Sequence, residues 1–148
     1  MYIRQAEEKD ISRIAEILVY NNRVNYWPIF QDEQYSFGEM QVLTIADEYQ
    51  MDNEKLAHTL VYDDGIVRGF VQVEKDEIRK LYVDTFFQGR GIGAALVEYA
   101  IREKDVKYLW ALEKNVRAIR FYERHGFHVT GIRIPEEGTT EYLVRMEC

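Results

Sequence analysis

The chain has 148 residues, 47% of them hydrophobic and 30% charged, two prolines and a formal net charge of −7. That length suits one domain spanning 1–148 with a core that needs no staples, and the composition excludes a disordered or low-complexity chain. No apolar run reaches membrane-spanning length, the start lacks an apolar signal segment, and the charge disfavours nucleic acid and membrane partners, so a cytoplasmic protein is expected.

Residues 2–4 read as a short strand. Asp10 stands where a helix would be capped, with Ile11, Ile14, Ala15 and Leu18 on one face; Asn21-Asn22 signals its end, and Trp27-Pro28 predicts an aromatic-rich loop. A second helix is expected over 35–50, with Phe37, Met40, Leu43 or Thr44, and Asp47 at helical intervals. Residues 58–62 and 66–73 predict a hairpin about Asp63-Asp64-Gly65, and Lys75-Asp76 turns the chain into a third strand, 77–83.

A glycine-rich turn follows, Gln88-Gly89-Arg90-Gly91-Ile92-Gly93, leading into a helix with Ile92, Ala95, Leu96, Tyr99 and Ala100 on one stripe. Glycines let backbone approach a ligand, and the first helical turn offers unpaired N–H groups and a positive dipole end, so a phosphate-bearing ligand is expected here. A strand over 106–112, a helix over 115–125 and two strands, 127–134 and 142–146, complete the chain. Hairpins combined with strand–helix–strand units imply an α/β (α+β) domain with a mixed sheet and helices on its faces.

Charge is uneven along this order. Residues 79–124 hold ten Lys/Arg against six Asp/Glu, leaving nine against twenty elsewhere. Such a split suits a protein that holds a polyanion at one place and presents acidic surface at another. Cys148 is the only cysteine, and His58, His125 and His128 lack metal-ligand spacing, so no metal is expected.

The glycine turn resembles the Q/R-x-x-G-x-G/A signature of the GNAT superfamily of acyl-CoA N-acetyltransferases. The segment 115–127, Asn115 followed by Ala118 and then Phe121-Tyr122-Glu123-x-x-Gly126-Phe127, resembles that family's second signature. The two stand in the family's order and spacing, and the likeness covers roughly 60–146. It implies a GNAT-like fold, a mostly antiparallel sheet of six to seven strands with about four helices. It further implies acetyl transfer from acetyl-CoA to a primary amine through a ternary complex. By resemblance, Leu81, Tyr82 and Val83 would expose backbone to the pantetheine arm, and Gln88, Gly89, Arg90, Gly91, Ile92, Gly93 and Ala94 would hold the pyrophosphate. Asn115 would hydrogen-bond the pantetheine where two strands splay, Ala118 would leave room for the cofactor, and the Val83 N–H would stabilise the oxyanion. Tyr122 would be the catalytic residue, a hydrogen-bond donor to the leaving thiolate and a proton donor if its pKa is lowered. The family's acceptor pocket falls near Tyr20, Tyr26, Trp27, Phe30, Tyr35 and Phe37; with Asp32, Glu33 and Glu39 among them, a cationic small-molecule or peptide amine is expected. Similar proteins are often homodimers, so a homodimer is a further expectation.

No base is marked: Glu77, Glu113 and His125 lie on elements that would frame the cleft, each with an ordinary surface role to set against a catalytic one. Two other readings stay open. Gly89-Arg90-Gly91-Ile92-Gly93-Ala94 also matches a G-x-G-x-x-A dinucleotide fingerprint, with Glu113 about 20 residues on, as in an NAD(P)-dependent oxidoreductase. Against it, residues 84–88 separate strand from glycine, and little chain follows. A non-catalytic acyl-CoA-binding module is the other.

Overall fold

The computed structural model describes residues 2–148. Seven strands form one sheet: β1 (Ile3–Gln5), β2 (Thr59–Asp63), β3 (Val67–Glu74), β4 (Glu77–Val83), β5 (Tyr108–Leu112), β6 (His128–Pro135) and β7 (Tyr142–Glu147). Their spatial order is β1-β2-β3-β4-β5-β7-β6, antiparallel except for β4 beside β5. The five α-helices are α1 (Ile11–Phe30), α2 (Val42–Met51), α3 (Asn53–Ala57), α4 (Ile92–Lys104) and α5 (Val116–Arg124). The mixed sheet expected from the element order forms, mostly antiparallel as the resemblance implies. A sheet with one parallel pair has no room for the βαβαβ half that a dinucleotide fingerprint requires, and this removes the oxidoreductase reading.

Each sheet face buries its own core. On one side Leu96, Val97 and Ala100 of α4 pack on Val71, Ile78, Leu109 and Met146. On the other, Ile14, Ile17 and Leu18 of α1 with Ile45 and Tyr49 of α2 pack on Val61 and Phe70. Because helices cover both faces, β3 is buried on both, Phe70 and Gln72 as fully as Val71 and Val73.

Three sequence expectations fail in the first third: the end of the first helix, the aromatic-rich loop at Trp27-Pro28, which is helical, and the unbroken second helix. The first helix does not stop at Asn21-Asn22 but runs on to Phe30, with Pro28 inside its last turn. Both asparagines are buried, and each finds a partner: Asn21 Nδ2 donates to the Ile17 carbonyl at 2.8 Å, and Asn22 Nδ2 to the Tyr35 hydroxyl at 3.1 Å. Burial outweighs their preference for helix ends, even though Asn22 Oδ1 is left without a partner among the described residues. The helix ends instead at Gln31, in the left-handed region at φ 54°, whose N–H donates to the Trp27 carbonyl.

The helix expected over 35–50 is broken. A wide turn, Gln34–Glu39, precedes an extended Gln41, and only then does α2 begin. Its buried face is Ile45 and Tyr49; Phe37 and Leu43 are exposed. The short α3 follows, capped by Asp52, whose carboxylate accepts from the Glu54 and Lys55 N–H groups. From residue 58 onward each predicted element lies within two residues of its place.

Candidate active site

Strands β4 and β5 pair only at Glu77↔Tyr108 and Ile78↔Leu109, then diverge. On its other edge β4 stays paired to β3 as far as Gly69↔Val83, and the Asp84 N–H donates to the Arg68 carbonyl at 2.9 Å. Backbone polar groups alternate between the two edges of an antiparallel strand. Those of Leu81 and Val83 therefore turn into the gap that β5 has left, without a strand partner. Buried backbone groups require partners, and an extended amide-bearing arm lying in the gap would provide them.

The glycine turn closes one end of the gap. Gly89 and Gly91 both adopt φ 80°, the left-handed region in which a Cβ is strained. Gly91 caps α4 without a side chain, and the first intrahelical bond runs from the Ala95 N–H to the Gly91 carbonyl. The N–H groups of Ile92, Gly93 and Ala94 thus precede the helix's own bonding and face outward with the dipole's positive end. Gly93 has a second duty: a Cβ there would stand 3.3 Å from the Phe121 ring, so its smallness lets α4 and α5 approach. Gln88 braces the turn, its Nε2 donating to the Val83 carbonyl at 3.2 Å and its Oε1 accepting from Arg117 at 3.0 Å.

Helix α5 forms the opposite wall. Asn115 caps it, Oδ1 accepting from the Ala118 N–H at 3.3 Å, which leaves Nδ2 without a partner among the described residues. Tyr122 is buried at 9% exposure between Phe121 and Phe127, its hydroxyl unbonded among the described residues. Burial pushes its pKa above the ordinary phenol value, with Tyr26 nearby adding to the shift. Tyr82, half-buried beside Tyr26 and Tyr122, is pushed up for the same reason.

These walls enclose an open cleft of about 1490 Å³ that continues past Tyr122 between α1, α2 and the β6–β7 loop. The far half carries the acids Asp32, Glu39, Glu48, Glu136, Glu137 and Glu141, of which Glu48 is paired with Lys55 at 3.6 Å and Glu141 with Lys114 at 3.0 Å. Tyr26, Phe30 and Tyr35 line it as well; Phe30 and Tyr35 meet edge to face at 5.8 Å.

An acetyltransferase (GNAT) domain family model matches residues 55–129. The chain belongs to the GNAT acetyltransferase family. An Escherichia coli relative, the peptidyl-lysine N-acetyltransferase YiaC, is 34% identical over 86% of this chain and 83% of its own. An uncharacterized N-acetyltransferase of Methanocaldococcus jannaschii is 44% identical over 36% of this chain, a match spanning only 26% of that protein. The fold is that of the Thermoplasma acidophilum PaiA N-acetyltransferase, solved in complex with coenzyme A, at TM-score 0.69 and 19% identity, covering 99% of this chain and 98% of that one. Membership makes this chain an acetyltransferase that moves acetyl from acetyl-CoA to an amine.

In this GNAT chain, Leu81, Tyr82, Val83, Gln88, Gly89, Gly91, Ile92, Gly93, Ala94, Asn115, Ala118 and Tyr122 all line the one cleft. Arg90 does not; its guanidinium lies 5.3 Å from the Phe87 ring centre, outside the lining. Tyr20, Trp27, Glu33 and Phe37 are also outside it. Of the three base candidates, Glu77 and His125 line the cleft and Glu113 does not. Glu113 is held by Arg133 in two bonds of 2.9 and 3.0 Å, which keep its pKa low. Glu77 accepts from Tyr108 and Arg79 where the strands are still paired, and His125 lies 3.7 Å from Glu98 between α4 and α5. Sequence reasoning missed Glu48 and the loop acids Glu136, Glu137 and Glu141. The run Glu136-Glu137-Gly138-Thr139-Thr140-Glu141 was a visible signal, since half of it is acidic.

Proposed function

We propose that this protein acetylates lysine side chains of peptides or proteins in the cytoplasm, with acetyl-CoA as donor. The acidic half-cleft beyond Tyr122 carries this reading: carboxylates attract a lysine ammonium, and Tyr26, Phe30 and Tyr35 suit its aliphatic stem. The peptidyl-lysine activity of the E. coli relative points the same way.

The residues present fit the donor. The polar groups of Leu81 and the N–H of Val83 face the pantetheine, Asn115 Nδ2 donates to it, and the free N–H groups at the start of α4 take the pyrophosphate. Ala118 leaves space beside the arm. When bound, acetyl-CoA supplies an acetyl group activated as a thioester. The Val83 N–H, turned into the gap, stabilises negative charge on the thioester oxygen as the amine attacks.

Tyr122 donates a hydrogen bond to the departing sulfur. A thiol has a pKa of about 8.5 against about 10 for a free phenol, and burial widens that difference, so the proton stays on Tyr122. The acceptor must lose its proton before attack, and water conveys it toward the acids lining the far half of the cleft.

Thiol release measured over an amine panel, with acetyl-CoA saturating, tests the reading. Lysine peptides should lead anionic and neutral amines. The Tyr122→Phe variant should lose kcat by about 10²-fold while acetyl-CoA affinity stays within a few-fold, as for removal of one transition-state donor. Preference for anionic amines would refute the acceptor assignment. Binding of acetyl-CoA without turnover of any amine would leave a non-catalytic module.

A further inference from the structure

Lys80 lies on β4 and lines the same cleft. It pairs in register with Gln72, as Tyr82 pairs with Phe70, so Lys80 and Tyr82 share one face of the strand about 7 Å apart. Tyr82 in turn neighbours Tyr122. An extended lysine stem covers the spacing between them.

Its amine makes no hydrogen bond or ion pair among the described residues, although charged groups surround it. Arg79, the next residue, holds Glu74 and Glu77 at 3.6 and 3.2 Å. Glu48 of α2 is taken by Lys55 of α3 at 3.6 Å. Lys55 also stands 5.4 Å from the Tyr49 ring centre, above the buried Tyr49–Gln72 hydrogen bond. Lys80 is left with a cationic neighbour and no carboxylate of its own.

We infer that Lys80 is a self-acetylation site: the enzyme transfers acetyl from its bound acetyl-CoA to Lys80 of the same molecule. The lone pair of Nζ attacks the thioester carbonyl, the N–C bond forms as the C–S bond breaks, the thiolate of coenzyme A leaves, and the amine proton passes to water. The step needs no reagent beyond acetyl-CoA, and rests on the donor reading above.

The surroundings favour it. Partial burial lowers the Lys80 pKa, with Lys55 and Arg79 lowering it further and Glu48 opposing. More of this amine is neutral near pH 8 than of an exposed lysine, whose pKa is about 10.4. Acetylation would also neutralise the one lysine among the cleft's lining residues and so strengthen the cleft's attraction for cations.

The test incubates the intact protein with isotope-labelled acetyl-CoA, with and without a lysine peptide, and maps acetyl groups by mass spectrometry. Label should accumulate on Lys80 faster than on exposed Lys9, Lys104 and Lys114, at a rate unchanged by diluting the protein. Tyr122→Phe should slow Lys80 labelling by the same factor as peptide acetylation, and Lys80→Arg should carry no label at that position. A readout independent of acetyl-CoA is trace labelling with acetic anhydride, in which Lys80 should react with a midpoint pH below that of the exposed lysines. Acetylation of the peptide with Lys80 unlabelled overturns the inference and leaves the donor reading intact. Labelling of Lys80 in proportion to exposure, unaffected by Tyr122→Phe, also overturns it. Labelling of neither peptide nor Lys80 overturns both.

Discussion

At the scale of single residues, the phenols in and near the cleft show how burial sets chemistry. Tyr49, Tyr82 and Tyr122 are all held above the ordinary phenol pKa, chiefly by desolvation. A raised folded-state pKa means that the unfolded chain loses its protons first as pH rises. Stability from these groups is therefore full below the unfolded value of about 10 and is lost as pH climbs through the folded values. Denaturant midpoints should be flat from about pH 7 to 9 and fall above about pH 10. Tyr82→Phe should make that fall shallower, because it removes the contribution of one such group. An unfolding midpoint that stays level through the alkaline range would show that these phenols titrate freely. Tyr122 was legible in the sequence as the tyrosine of a motif; its raised pKa was not, since Phe121, Phe127 and Tyr26 surround it only in the folded chain.

At the scale of elements, the site depends on β4 being paired on one edge and bare on the other. Gly69 of β3 secures the paired edge. A Cβ there would stand 2.8 Å from the Tyr82 carbonyl oxygen and 3.3 Å from both Val83 Cα and Leu96 Cδ1. Backbone cannot yield as a flexible side chain can. Gly69→Ala should lower unfolding free energy by about 1–3 kcal/mol, read by chemical denaturation. It should also weaken acetyl-CoA binding by calorimetry, since Leu81 to Val83 must shift with β3. Unchanged binding would mean that β4 does not carry the arm. The extent of β4 was read correctly from its residues, but its bare edge was not, because the divergence of β5 is a property of the pair. The same limit explains α1: Asn21, Asn22 and Pro28 are helix-ending residues locally, and packing on β3, β4 and Tyr35 overrides them.

At the scale of the molecule, the uneven charge of the sequence becomes an arrangement in space. Helix α4 and the glycine turn offer backbone N–H groups to the anionic donor, while the acids around the other half of the cleft come from α2, the α1–α2 connection and the β6–β7 loop. Exposed charges act over a Debye length of about 30 Å at 0.01 M salt but only about 8 Å at 0.15 M. With acetyl-CoA saturating, kcat/KM for a basic lysine peptide should fall across that range, mostly through KM, while an uncharged amine acceptor changes little. Equal salt dependence for both would remove the acidic half-cleft as the basis of acceptor choice.

The sequence by itself determined the strand and helix order from residue 58 onward, the glycine turn, the Asn115-to-Phe127 signature and thereby the family. Those features are local: alternation, turn residues and motif spacing are written along the chain. Only the tertiary structure decided the course of the first two helices, the gap beside Leu81 and Val83, the acids that face it and the isolation of Lys80. Each arises from residues far apart in sequence, and burial and pairing there depend on what the rest of the chain brings alongside.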